Sequence, residues 1–409
     1  MIVKIRNIPF YMMCFYLIIE CAFGYTTLQQ IFLVLFVLSS VCVNMFIDKN
    51  YKIGIFGIGY LLFTIWSGIQ IVLGICFNEQ VSQTMFITLL LNMLFIISIY
   101  QTNCNVDDLE RNLKGLVSSF FVALSIIIVG SGNQLLSGRL ALRNDSGISF
   151  TIGPLISRIS PNGIALWCTL GFIICMYLKK QYPKRIYTFL QVCFILGVIL
   201  SASRKGIIVL IIGFGVFYVM SASNRNKAIR IGVFLFIIVA LVISIFNIPA
   251  LYNLVGYRIE EMMNLLVTKS SNEAVIGGSL RTRVYLIEMA NQYISDRFWT
   301  GYGLNSFQAM VPIHIVADNN YLEIMVAGGV VGLLIYYFPA VKMLKDIIRY
   351  GRSQKNLFLY LVISIFVIAI LADFSSSSYY LRETLLPFAL LSAWISCIQD
   401  GVGRIANEN

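Results

Sequence analysis

Residues 298–334 read FWTGYGLNSFQAMVPIHIVADNNYLEIMVAGGVVGLL. The stretch opens as a polar segment that holds the chain's single histidine, His314, and passes at Asp318–Glu323 straight into an apolar run. A loop that becomes apolar so abruptly is entering a membrane. Hydrocarbon offers no water to backbone N–H and C=O groups, so the chain must turn helical there. The junction is also where a membrane enzyme would place chemistry on a polar substrate.

The rest of the chain fits that reading. Of its 409 residues, 58% are hydrophobic and only 12% charged, with a mean hydropathy of +0.83; a soluble domain is about 25% charged. Apolar runs of roughly 17–25 residues, each long enough to cross a hydrocarbon core, are expected near 8–24, 28–47, 53–76, 82–100, 114–131, 161–178, 186–201, 205–221, 230–248, 319–339, 356–373 and 380–398. The expected fold class is therefore all-α, a polytopic membrane protein of about 12 transmembrane helices.

The net charge of +11 is mostly a topology signal. Lys179, Lys180, Lys184 and Arg185 share one short loop, and Lys342, Lys345, Arg349, Arg352 and Lys355 another. The positive-inside rule puts these loops, and both termini, in the cytoplasm. A basic face with aromatics on a soluble module, the footprint of a nucleic-acid binder, is absent from the pattern. No cleavable signal peptide is expected, since Met1–Arg6 is short and no small-residue cleavage site follows. Most of the nine cysteines (Cys14, Cys21, Cys42, Cys168, Cys175, Cys193 and Cys397) fall inside spans as small apolar residues. Neither a disulfide framework nor a metal site is expected.

Three parts follow: residues 1–248 as a nine-span bundle with an outer loop at 132–160, residues 249–318 as a large extracytoplasmic loop between spans 9 and 10, and residues 319–409 as three further spans. Long non-spanning segments usually carry function. No GxxxxGK[ST] phosphate loop occurs, and Gly301 with Gly303 is too short a signal for nucleotide binding. Within the large loop, Leu286, Met289, Ala290, Tyr293 and Ile294 recur at helical spacing opposite Glu288, Asn291 and Gln292, which predicts an amphipathic helix over 281–298. Gly277, Gly278 and Ser279 read as the loop and cap before it. The helix either covers the bundle mouth or lies on the membrane surface, where it carries Arg281 and Arg283.

Arginines on the outer side (Arg139, Arg143, Arg158, Arg204, Arg258, Arg281, Arg283, Arg297 and Arg382) run against the positive-inside bias. Guanidinium groups bind phosphate oxygens bidentately and keep their charge when desolvated, though single arginines also snorkel without function. Arg204 stands out, because Ser201-Ala-Ser-Arg-Lys205 is a tight turn between spans with no room for a long solvated loop. His314 is a candidate base, since an unperturbed imidazole titrates near neutral pH, although a lone histidine is more often structural. Glu323 lies about a turn inside a span, where an acid is functional by default. Asp318, Asn319, Asn320 and Tyr321 are either site residues or a helix cap. Gly328 and Gly332 read as close helix packing. Ser375–Ser378, near Asp373 and Arg382, reads as a polar hairpin.

In order, the turn Ser201-Ala-Ser203-Arg204, Arg283 followed by Gly301-Tyr-Gly303, the junction Asp318-Asn-Asn-Tyr-Leu322, and Gly329-Val-Val-Gly332 resemble the bacterial O-antigen polymerase and ligase superfamily (Wzy and WaaL types). Ser160-Pro161-Asn162-Gly163 looks like a further family feature. The motifs cover roughly residues 200–340; elsewhere the likeness is one of topology. Ligases of this family typically carry histidine at the position held here by Asp318, and that departure points to a polymerase.

The resemblance implies a GT-C-like membrane fold and a glycosyltransferase of the bacterial inner membrane. It would join undecaprenyl-pyrophosphate-linked oligosaccharide repeat units into O-antigen, lipopolysaccharide or capsular polysaccharide, without a cofactor. A chain-length regulator and a flippase are implied partners. Arg204, Arg281 and Arg283 would hold the pyrophosphate. Asp318, His314 or Glu323 would act on the acceptor hydroxyl, with Arg143, Asn162, Asn319 and Tyr321 as further substrate contacts. The alternatives are a ligase that moves finished glycan to an acceptor lipid, and a flippase or other transporter. The single large loop and the lack of an internal repeat disfavour a transporter.

Overall fold

The computed structural model describes residues 5–408 except 25, 50, 132–147, 153–154, 223–225, 250–251, 253–255, 257–259, 261–277, 318, 354–355 and 375–378. Every expected span coincides with a helix. The first nine are α1 (Ile8–Phe23), α2 (Thr27–Cys42), α3 (Ile55–Val72), α4 (Glu79–Asn103), α5 (Leu109–Gly130), α6 (Pro161–Gln181), α7 (Arg185–Leu200), α8 (Arg204–Met220) and α9 (Lys227–Asn247). The large loop contributes α10 (Gly278–Asp296) and the short α11 (Ser306–Met310). They are followed by α12 (Asn320–Ser353), α13 (Leu357–Asp373) and α14 (Arg382–Glu408). Among the described residues, eight helices are long and apolar enough to cross a membrane, and α7 and α13 are shorter apolar helices. The chain is an all-α, multi-pass membrane protein.

One local departure lies in the 132–160 loop, where Ile148–Ile152 (β1) pairs antiparallel with Leu155–Ile159 (β2), Ile148 opposite Ile159. Ile148, Phe150 and Ile152 alternate with Ser149 and Thr151, the period-two pattern of a strand.

Polar side chains set where helices begin. Thr26 caps α2, Asn78 α4, Ser160 α6, Ser203 α8 and Asn356 α13, each accepting from a first-turn N–H. These N–H groups lack helical partners and would otherwise be left unsatisfied at the membrane boundary. Contacts between helix ends fix direction. Arg111 of α5 donates to Asn7, just before α1 (2.7 Å), whereas Glu20 near the other end of α1 faces Arg382 at the start of α14. Asn162 at the start of α6 meets Ser203 at the start of α8, and Lys180 at the far end of α6 reaches Ser221 beyond α8. α1 and α5 therefore run parallel, α14 runs antiparallel to α1, and α6 and α8 run parallel.

Of the long apolar helices, α6 is the most buried (78% of its apolar stretch) and α9 the least (6%), which places α9 at the periphery. Gly171 of α6 lies against the Phe194 ring of α7, and Gly213 of α8 against Ile368 of α13. Small residues let helices approach closely where lipid supplies no hydrophobic drive to associate.

A second, smaller core sits beside the bundle. Leu286 and Ala290 of α10 pack with Phe307 of α11, Val311, Ala317 and Val326 of α12, with Met289, Tyr293 and Ile294 at the margin. This is the stripe predicted from spacing, here covering the junction. The helix starts at Gly278, so Gly278 and Ser279 belong to its first turn rather than to a preceding loop and cap.

Candidate functional site

The junction is built around a break in α12. Gly329 has φ 65° and ψ −170°, a conformation that L side chains avoid, and a Cβ there would collide with the Trp299 carbonyl. The break frees carbonyls that buried backbone cannot leave unpaired. The loop before the helix supplies the donors: Tyr302 N–H reaches Val326 O (2.8 Å) and Gly303 N–H reaches Ala327 O (2.9 Å), while Val330 N–H donates to Phe298 O (2.9 Å). From α3, Gln70 Nε2 donates to Ala327 O (2.9 Å) and Trp66 Nε1 to Gly328 O (3.0 Å). Gly301 (φ +67°) would place a Cβ 2.6 Å from Ala327 O. The Gly301–Gly303 and Gly329 motifs, separate in sequence, are thus one interlocked structure. Gly328 and Gly332 face Phe63 and Trp66, where a Cβ would meet them at ordinary contact distance rather than in the close packing expected from sequence.

Below this knot lies a buried polar layer. Tyr337 Oη donates to Asp373 Oδ2 (2.7 Å), as does Asn320 Nδ2 (3.2 Å), and Asn320 Oδ1 accepts from Tyr379 N–H (2.8 Å). Tyr379 ties three elements together. Its hydroxyl accepts from Asn305 N–H (3.1 Å) and its carbonyl from Tyr60 Oη (2.8 Å); burial pushes its phenol pKa well up, so it stays neutral. Glu323 is fully buried, with Oε2 accepting from Ala317 N–H (3.0 Å). Arg382 donates through Nε to Asn92 Oδ1 (2.9 Å) and lies 3.9 Å from Glu20. Glu20 also accepts from Tyr16 Oη (2.8 Å) and from Gln29.

A corner of the layer joins α6, α8, α13 and α14. Ser203 Oγ caps α8, accepting from Gly206 N–H (3.0 Å), and donates to Asn162 Oδ1 at the start of α6 (2.7 Å). Arg204 opens α8. Lys205 reaches the carbonyl of Ala372 beside Asp373. Glu383 lies against Gly163, where a Cβ would collide with its carboxylate. Ionised groups sunk among apolar helices cost several kcal/mol each unless partnered, and within membrane segments they mark function by default.

The residues expected from sequence are distributed as follows. Arg204, Asn162, Asn320, Tyr321 and Glu323 belong to this end of the bundle. Asn319 caps α12, its Oδ1 accepting from Tyr321 and Leu322 N–H (3.0 and 3.2 Å). Tyr321 donates to Ile370 O (3.3 Å) and stacks on Tyr337 at 4.8 Å. Arg281 and Arg283 lie in α10. His314 is exposed, with φ 50° and Nδ1 3.3 Å from Gln308 O. Arg297 donates to Ile75 O (2.8 Å) and lies over the Tyr302 ring. Asp318, Arg139, Arg143, Arg258 and Ser375–Ser378 lie outside the described residues. Arg382, one of the outer-side arginines, lies in this layer; sequence reading gave no site role to Glu20, Asn92, Asp373 or Glu383. The signal for the acids was present, a carboxylate within or at the edge of an apolar run.

Residues 189–337 match the family model described as O-antigen ligase, from the second turn of α7 to Tyr337 in α12. This is consistent with the O-antigen polymerase and ligase superfamily that the motifs resemble. The match supports a glycosyl-transferring membrane enzyme of ligase or polymerase type. No curated protein matches the chain.

Proposed function

We propose that the protein is a polysaccharide polymerase that joins lipid-pyrophosphate-linked oligosaccharide repeat units at the outer face of the bacterial cytoplasmic membrane. The observation that carries this reading is the convergence at one end of Arg204, the buried acids and the polar junction, beneath the α10–α11 cap. The basic loops around Lys179–Arg185 and Lys342–Arg352 fall at the opposite end, which supports an outer position for the site and cytoplasmic termini.

In this reading a hydroxyl of one unit attacks the anomeric carbon of the growing chain, and lipid pyrophosphate departs. Pyrophosphate is already a good leaving group, so the main task is to stabilise the charge that gathers on it, which fixed arginines do. Arg204, Arg281 and Arg283 take that role. Asp318, His314, Asn319, Tyr321 and Glu323 are assigned to orienting the acceptor unit and Arg143 to a further substrate contact, and a chain-length regulator and flippase are the expected partners. Replacing both Arg204 and Arg283 by Ala should leave the protein inserted while transfer falls by about 10²–10³-fold or more. The check is a gel ladder of surface glycan beside a blot of the membrane fraction; a normal ladder sinks the assignment.

The family description favours a second reading, a ligase. The same gel separates the two. Loss of a polymerase leaves a single repeat unit on its acceptor, whereas loss of a ligase leaves full-length chains on the lipid carrier.

A further inference from the structure

Four acids occupy the polar layer, and three are held by the fold. Glu20 is bonded by Tyr16 and Gln29 beside Arg382, Asp373 by Tyr337 and Asn320, and Glu323 by the Ala317 N–H. All three are sealed from solvent. Glu383 differs. It is only partly buried, and among the described residues no side chain or N–H is bonded to its carboxylate. That carboxylate lies against Gly163, with the Lys205 ammonium acting on it as the opposing charge. Asn162 precedes Gly163, and its Oδ1 is occupied by Ser203. Its amide N–H groups have no partner among the described residues.

An open carboxylate beside an amide donor is suited to a sugar hydroxyl, since the first accepts the O–H and the second donates to its oxygen. The Ser203–Asn162 bond ties this pair to the turn that carries Arg204, so the hydroxyl site and the pyrophosphate site are one bond apart. We propose that Glu383 and Asn162 form the acceptor-sugar site and that Glu383 takes the proton of the attacking hydroxyl. The inference rests on the transfer reading above. As the acceptor oxygen bonds to the anomeric carbon, its O–H proton passes to the Glu383 carboxylate. The anomeric C–O bond to the leaving group breaks, and its electron pair departs on pyrophosphate. Gly163 leaves room for the carboxylate, which a side chain there would move.

The test uses the full chain in lipid nanodiscs with the lipid-linked repeat unit extracted from cells that lack this protein. Glu383→Gln keeps the shape and removes the base. Its transfer rate should fall about 10²–10⁴-fold while binding of the lipid-linked unit is unchanged, and Glu383→Asp should recover part of the rate. Gly163→Ala, which moves the carboxylate without deleting it, should also slow transfer with binding intact. Transfer by Glu383→Gln at the rate of the unaltered protein overturns the assignment alone. Failure of the unaltered protein to transfer overturns the polymerase reading and this inference with it.

Discussion

The two ends of the bundle use the same kinds of side chain in opposite ways. At one, Arg6 pairs with Asp48 (2.6 Å) and Arg111 with Asp108 (3.1 Å) around an open polar cavity of about 840 Å³, and Lys114 pairs with Glu110 nearby. These groups are a third to two-thirds exposed for the most part, so water screens them and each pair contributes about 0–1 kcal/mol. At the other end, Glu20, Glu323, Asp373 and Arg382 are buried, and each has been given specific hydrogen-bond partners. Charge that could have been left in water has instead been carried into the bundle. A fold seeking only stability would not do this, because well-packed apolar residues would serve at least as well.

The comparison breaks most sharply at Arg382. Its replacement by Met removes the positive neighbour of Glu20 and the partner of Asn92, leaving a buried carboxylate uncompensated. The expected loss is about 3–5 kcal/mol, read as a large drop in thermal unfolding temperature in a fixed detergent and lipid mixture. Adding Glu20→Gln should return part of it. A single variant as stable as the parent would mean that water reaches this pair.

Gly329→Ala tests the knot above the layer. Its backbone, with φ 65° and ψ −170°, is in a region essentially reserved for glycine and costs an L residue about 1–3 kcal/mol, and the collision with the Trp299 carbonyl adds to that. The expected result is a destabilised junction and a shortened polymer ladder. Gly332→Ala is the control: its Cβ would meet Phe63 and Trp66 at ordinary contact distance, 3.5 Å, and glycan synthesis should persist.

Much of this was legible in the sequence. Hydrophobic runs predicted every helix that the bundle contains, because length and apolarity are what a bilayer selects. The i, i+3, i+4 spacing at Leu286–Ile294 identified the cap helix and its buried stripe. The pairing of Gly301–Gly303 with Gly329 was not legible. A main-chain bond between Gly303 and Ala327 leaves no mark on residue identity beyond a permissive glycine at each end. Nor was the partnership of Glu20 with Arg382, or of Asp373 with Asn320 and Tyr337. These join elements far apart in sequence, and periodicity carries no information about which helix ends meet. What sequence did offer was each acid's position within or beside an apolar run. Weighing that signal as heavily at Glu20, Asp373 and Glu383 as at Glu323 would have found more of the layer.

Between the extremes stands Tyr337→Phe. It deletes one donor to a buried carboxylate while keeping the ring stacked on Tyr321. A hydrogen bond to a charged group is worth about 1.5–3 kcal/mol, and Asn320 still donates to the same oxygen, so the lower part of that range is expected from chemical unfolding. A loss near zero would mean that the Tyr337 hydroxyl adds nothing to the hold on Asp373.

The smallest effect belongs at the opposite end. Lys114 forms an i,i+4 pair with Glu110 and lies 4.9 Å from the centre of the Tyr182 ring, which in isolation looks like a designed contact. Both charged side chains are nonetheless nearly half exposed (44% and 46%), and such pairs contribute about 0.3–0.5 kcal/mol. Lys114→Ala should therefore change unfolding by less than about 1 kcal/mol, leave the glycan ladder intact, and show no more than a slight dependence on added salt. A variant that inserts normally but shortens the ladder would show that function reaches across the bundle. The contrast between a solvated end and a working end would then have to be given up.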